Sequence, residues 1–99
     1  MKHEETAFLL EELPGEGHLC MTGNAGVEED VRSFAEKVLE CFGRVDVLVN
    51  NACITRRGIL SGCSFEEFNE VLRVGVSAPY LLSLLFRDHF SRGASIVNI

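Results

Sequence analysis

Positive charge is scarce in this sequence. Nine Lys and Arg stand against 15 Asp and Glu, a formal charge of −6, and no run of basic residues with interleaved aromatics occurs. The electrostatic attraction that drives nucleic-acid binding is therefore missing, and nucleic acid is excluded as an expected partner. Long hydrophobic runs are missing as well. The longest nearly apolar stretch, Ala78 to Phe86, is interrupted by Pro79 and Ser83 and falls short of the roughly 20 residues that span a bilayer. No membrane association is expected. The opening Met-Lys-His-Glu-Glu-Thr has no apolar segment behind its Lys, so no secretory signal is read and a cytoplasmic, reducing compartment is the expectation.

Closely spaced cysteines are also lacking. Cys20, Cys41, Cys53 and Cys63 follow one another at intervals of 21, 12 and 10 residues, which matches neither a redox pair nor a zinc pattern. Free thiols are expected, and no metal. His3, His18 and His89 share no i, i+4 spacing with one another or with a cysteine.

What is present is the composition of a globular chain, 46% hydrophobic and 24% charged. Ninety-nine residues allow one domain and about three β/α units, at roughly thirty residues or more for each strand–helix–strand crossover. Ala7 to Leu13 has the pattern of a helix end, stopped by Pro14-Gly15. His18 to Thr22 is predicted as a short strand, closed by Gly23-Asn24-Ala25-Gly26. From Val27 to Phe42, apolar residues recur at three and four positions (Val27, Val31, Phe34, Ala35, Val38, Leu39, Cys41, Phe42), the stripe of an amphipathic helix. Glu28, Glu29 and Asp30 occupy its first turn, where the helix dipole favours anions, and Gly43 follows as a C-terminal cap.

Val45-Asp46-Val47-Leu48-Val49 is nearly continuous in β-branched and aliphatic residues, as in strands covered on both faces. A helix followed by such a strand implies a parallel α/β sheet. Ser64-Phe65-Glu66-Glu67 has the form of a capping box and places a helix start at Ser64. That helix carries Phe65, Phe68, Val71 and Leu72 and is expected to kink or break between Gly75 and Pro79, because proline has no N–H to give. A second apolar portion runs from Tyr80 to Phe90, Ser91-Arg92-Gly93 is expected to turn, and Ala94 to Ile99 begins another buried strand.

The sharpest chemical signal is Asn50-Asn51-Ala52 at the carboxyl end of the Val45 to Val49 strand. Ligands bind at that end of open α/β sheets. Paired amides offer donors and acceptors there, and a small alanine lets a ligand approach the backbone. Turn-forming asparagines that satisfy the loop are the other reading. The Gly-Asn-Ala-Gly segment mimics a phosphate loop but does not complete G-x-G-x-x-G, and Glu28, Glu29 and Asp30 would repel a pyrophosphate. Arg56-Arg57 could meet an acidic substrate or simply face solvent. Cys53 and Cys63 have no histidine near them in sequence that would make either a nucleophile.

The run Phe42-Gly43-Arg44-Val45-Asp46-Val47-Leu48-Val49-Asn50-Asn51-Ala52, followed by Val71 to Tyr80 and Ser95-Ile96-Val97-Asn98-Ile99, resembles the short-chain dehydrogenase/reductase family over essentially the whole chain. The resemblance implies a partial Rossmann-like, doubly wound parallel sheet, NAD or NADP as cofactor, and hydride transfer to or from a small alcohol or carbonyl substrate. It implies cofactor contact at Asn50, Asn51 and Ala52, and at Asn24 and Ala25 beside the adenine. Cys53 stands where relatives carry Gly, and Gly75 where they carry an Asn of the proton relay. The family's Gly-rich loop lies before the first residue here and its Ser and Tyr-x-x-x-Lys after the last. Residues 1–99 are thus expected to form one incomplete Rossmann-type domain without turnover of its own. In the family's 3-2-1-4-5 strand order the chain would hold strands 3, 4 and 5. The gap between the first two means either that they re-pair or that His18 to Thr22 hangs loose. Both outcomes leave an open strand edge, which predicts self-association. A small non-catalytic α/β module that pairs through this edge is the competing expectation.

Overall fold

A computed structural model describes residues 12–53 and 62–99. The chain runs through α1 (Glu28–Phe42), β1 (Val45–Asn50), α2 (Phe65–Leu72), a π-helical turn (Arg73–Ser77), α3 (Ala78–Leu85), a 3-10 turn (Arg87–His89) and β2 (Phe90–Asn98). The helix end at Ala7 to Leu13 and the Arg56-Arg57 pair lie largely or wholly outside the described residues.

The local chemistry of α1 sets both of its ends. At its start Asp30 Oδ2 accepts the backbone N–H of Asn24 at 2.9 Å, and Glu28 takes a hydrogen bond from Arg32 one turn on at 2.8 Å. At its end Gly43 adopts φ 74° and gives its N–H to the Leu39 carbonyl, a left-handed cap that any side chain would strain. In α2, Ser64 Oγ accepts the N–H of Glu67 at 3.1 Å while the Glu67 carboxylate accepts the N–H of Ser64, completing the predicted capping box.

The expected break between Gly75 and Pro79 takes the form of the π-turn. Ala78 gives its N–H to the carbonyl of Arg73, one residue wider than in an α-helix. Pro79 then sits in the first turn of α3, where its missing N–H costs nothing. Phe65, Phe68, Leu72, Val76, Tyr80 and Leu84, at steps of three or four residues, are all exposed.

β1 and β2 pair in parallel, Leu48 opposite Ile96, Val49 opposite Val97 and Asn50 opposite Asn98. The register shifts between Val45, opposite Phe90, and Val47, opposite Ser95. The surplus residues of β2 lie there and include Gly93 at φ 81°. The predicted turn at Ser91-Arg92-Gly93 is thus an irregularity inside a strand, not an end to a helix.

Among the described residues the sheet has two strands, not about three: His18 to Thr22 is not part of it. A strand separated from its neighbours has no ladder to join, and of the two arrangements foreseen the loose one is found. The expectation that β1 is covered on both faces also fails. α1 and α3 cover one face, where Ala35, Val45, Leu48 and Phe86 form the core with Val38, Leu39, Leu82, Leu85 and Phe90 around them. On the other, Val47, Val49 and Val97 are 57%, 52% and 43% exposed, because no second helical layer lies against them among the described residues. For the same reason the flanks of the α1 stripe, Val27, Phe34 and Phe42, stay exposed while Val31 and Ala35 are buried. Among the described residues no helix is long and apolar enough to cross a membrane.

Candidate functional site

Both strands end in Val-Asn, at Val49-Asn50 and at Val97-Asn98. Parallel register sets the two asparagines side by side, and Asn50 Nδ2 donates to Asn98 Oδ1 at 2.8 Å. The carbonyl of Asn50 also accepts the N–H of Ile99 at 3.1 Å, so Asn50 ties the sheet together through both its side chain and its backbone. Asn98 was quoted in the sequence only as part of a strand. The repeated Val-Asn at two strand ends is the signal that would have singled it out.

Beside these strand ends opens a cavity of about 440 Å³, lined by Cys20 to Ala25, by Asp30, Val31, Ser33 and Phe34 of α1, by Ala52, and by Ala78 and Leu82 of α3. Three of the five predicted contact residues, Asn24, Ala25 and Ala52, come together on its wall. Asn50 and Asn51 do not line it; Asn50 is turned to Asn98, and Asn51 is exposed just beyond the strand.

Asn24 is held from two sides. Its Oδ1 accepts the N–H of Gly26 at 2.8 Å, its carbonyl accepts that of Val27 at 3.0 Å, and its own N–H goes to Asp30. This turn fixes the rim of the cavity. The small residues Gly23, Ala25 and Ala52 leave backbone open on that rim, and Val31, Phe34 and Leu82 give an apolar floor. Asp30 is the acidic side chain among those lining it. An apolar slot with amide and backbone groups and one acidic side chain can take a flat, uncharged group and disfavours phosphate.

Gly75 lies in the π-turn, and among the described residues a Cβ there would meet nothing within 4 Å outside the helix's own backbone. The position has room for a side chain, and the glycine removes one without any steric demand for it. Cys53 is exposed and Cys63 half-buried, and no disulfide joins the four cysteines among the described residues. Among the described residues no three His, Cys, Asp or Glu side chains gather as metal ligands.

The family model described as enoyl-(acyl carrier protein) reductase matches residues 1–99. The chain belongs to the short-chain dehydrogenase/reductase family. An uncharacterized oxidoreductase of Thermotoga maritima is 34% identical over 100 residues, which cover 99% of this chain and 39% of that protein. Among solved structures, an apo SCOR enzyme from Clostridium thermocellum is similar at 42% identity and TM-score 0.71, covering 79% of this chain and 32% of that one. A short-chain dehydrogenase from Burkholderia cenocepacia in complex with NADP gives 32% identity and TM-score 0.72, with the same coverage of 79% and 32%. The chain therefore spans about two-fifths of the length of the first of these short-chain dehydrogenase/reductase relatives. The α/β fold with a parallel sheet agrees with them, and the family's members are NAD(P)-dependent oxidoreductases acting on small molecules.

Proposed function

We propose that these residues form the adenosine-side half of the cofactor site of an NAD(P)-dependent short-chain oxidoreductase that moves a hydride between nicotinamide and a small alcohol or carbonyl compound. The observation that carries this reading is the apolar cavity at the carboxyl ends of a parallel sheet, with Asn24, Ala25 and Ala52 on its rim and the Asn50–Asn98 pair beside it. Ligands of open α/β sheets bind at that end. The NADP held by the Burkholderia relative supports the same class of ligand here, and NAD and NADP stand as equals. A reducing, cytoplasmic compartment belongs to the same reading. The domain is read as a single incomplete Rossmann-type unit over residues 1–99.

The one tyrosine, Tyr80, has Leu84 and not Lys four positions on, so the chain carries no Tyr-x-x-x-Lys acid/base. Proton transfer has no such group here and the phosphates no positive cradle. The 99-residue chain is accordingly expected to bind NADPH weakly, seen as a saturable change in its fluorescence, and to show no turnover with alcohols or ketones at 340 nm. Absence of any saturable binding sinks the proposal for this chain; steady turnover sinks the assignment of proton transfer to groups it does not carry.

A second reading rests on a separate observation. Among the described residues β1 pairs only with β2, and Val47, Val49 and Val97 leave one sheet face open, which supports a small interaction module that pairs with itself. Sedimentation velocity across a hundredfold range of concentration is expected to show a discrete dimer if this holds. A monomer throughout counts against it.

A further inference from the structure

A second cavity, of about 430 Å³, opens between the start of α1 on one wall and the π-turn with α3 on the other. Ala25, Val31 and Ala78 line both this space and the cavity described above, and so stand between the two. The walls meet closely at Gly26, where a Cβ would come within 3.3 Å of Val74 Cγ2. The absent side chain lets the start of α1 close on the π-turn.

The charge on these walls runs against that of the chain. Nine Lys and Arg face 15 Asp and Glu overall, yet Arg32 from α1 and Arg73 from the π-turn both line this cleft, against Glu28 as its acid. The walls therefore carry an excess of positive charge. Each arginine is held in place and only partly spent. Arg32 gives its Nε–H to Glu28 at 2.8 Å, and Arg73 gives a terminal nitrogen to Glu66, which does not line the cleft. A guanidinium has five N–H donors in a fixed fork, so most of each remains open to a planar acceptor. Ser77 and Tyr80 add hydroxyls, while Val31, Leu81 and Leu84 make the rest of the lining apolar.

We infer that this cleft binds a small organic carboxylate with an apolar body, the carboxylate between Arg32 and Arg73 and the body along Val31, Leu81 and Leu84. The class follows from charge and shape. The excess of positive charge over Glu28 matches a monoanion, whereas a phosphate dianion would bring a second charge against that acid. A hydrated inorganic ion gains nothing from apolar walls, and an organic cation meets two like charges. Glu66 competes for Arg73 in the unliganded chain, so the acid that holds this arginine also limits the affinity. The site is distinct from the proposed cofactor cavity and does not rest on that reading.

The test is an NMR titration of the 15N-labelled chain with phenylpropionate, beside phenylpropylammonium, which has a similar shape and the opposite charge. Phenylpropionate is expected to give saturable ring-current shifts at the amides of Arg32, Ser77 and Leu81, with an affinity at least about tenfold above that of the cation. Equal binding of the two overturns the inference, as do the absence of saturable shifts and shifts confined to Gly23 and Ala52 of the first cavity. Arg73→Gln is expected to weaken binding about fivefold, a modest loss because that side chain is 42% exposed. Glu66→Gln separates the open guanidinium from the ion pair: it removes no lining group and is expected to tighten binding about threefold by releasing Arg73. Unchanged or weakened binding in Glu66→Gln overturns the inference.

Discussion

Truncation of Phe86 to alanine is expected to unfold the chain. Phe86 is the largest fully buried side chain among the described residues, 1% exposed. It sits at the junction of α3 with the 3-10 turn and packs among Ala35 of α1 and Val45 and Leu48 of β1. Its ring also meets that of Phe90 edge-on, with centroids 6.3 Å apart and planes at 75°, a geometry that favours aromatic pairs. Replacing a buried phenylalanine by alanine costs about 3–5 kcal/mol.

The rest of the core is small. Val31, Ala35, Val45, Leu48, Val74 and Ala78 are its other buried hydrophobic members, and none has an aromatic ring. Chains of about a hundred residues hold only about 5–15 kcal/mol in total, and an open sheet face puts this one at the low end. Urea unfolding followed by circular dichroism is expected to lose its cooperative transition in Phe86→Ala and to keep it in Phe86→Leu, which preserves most of the volume. A midpoint in Phe86→Ala within a few tenths molar of the original would show that the core is centred elsewhere.

The second large effect concerns ligand and not stability. Ala52→Leu is expected to lower NADPH affinity by at least about tenfold while leaving the urea midpoint unchanged. Ala52 is exposed at the end of β1 and lines the cavity opposite Asn24 and Ala25 in the sequence. A leucine there adds three carbons to the mouth of a space of about 440 Å³, and it blocks the close backbone approach that the small residue permits. No core contact is lost, because Ala52 belongs to none. Fluorescence titration of the variant beside the original chain checks this. Unchanged affinity would move the ligand away from the cavity and with it the roles of Asn24 and Ala25.

These two sites also show where sequence reasoning holds. The elements whose causes are local were legible: α1 from its apolar spacing and its Gly43 cap, α2 from its capping box, the break before Pro79, and β1 from its aliphatic run. Each rests on residues within one or two turns of one another, and the chain satisfies them in any context. The strand end at Asn50 was legible for the same reason, whereas of the contact residues expected at that end only Ala52 lines the cavity.

What failed depended on neighbours. His18 to Thr22 has a strand-like pattern, but a strand exists only as part of a ladder, and none reaches it in the sheet formed by the described residues. Val47 and Val49 have the hydrophobicity of a two-sided strand, yet one side has no cover among those residues.

The sequence by itself determined the helices, their ends, the break at the proline and the family to which the chain belongs, because short-range hydrogen bonding and side-chain spacing are written in consecutive residues. Tertiary structure alone decided that Asn50 meets Asn98, 48 positions along the chain, that Asn24 and Ala52 share a cavity, and that among the described residues one face of the sheet is closed and the other open. Those facts follow from the register and packing of distant segments, which burial and strand pairing select across the whole fold and which no stretch of neighbouring residues encodes.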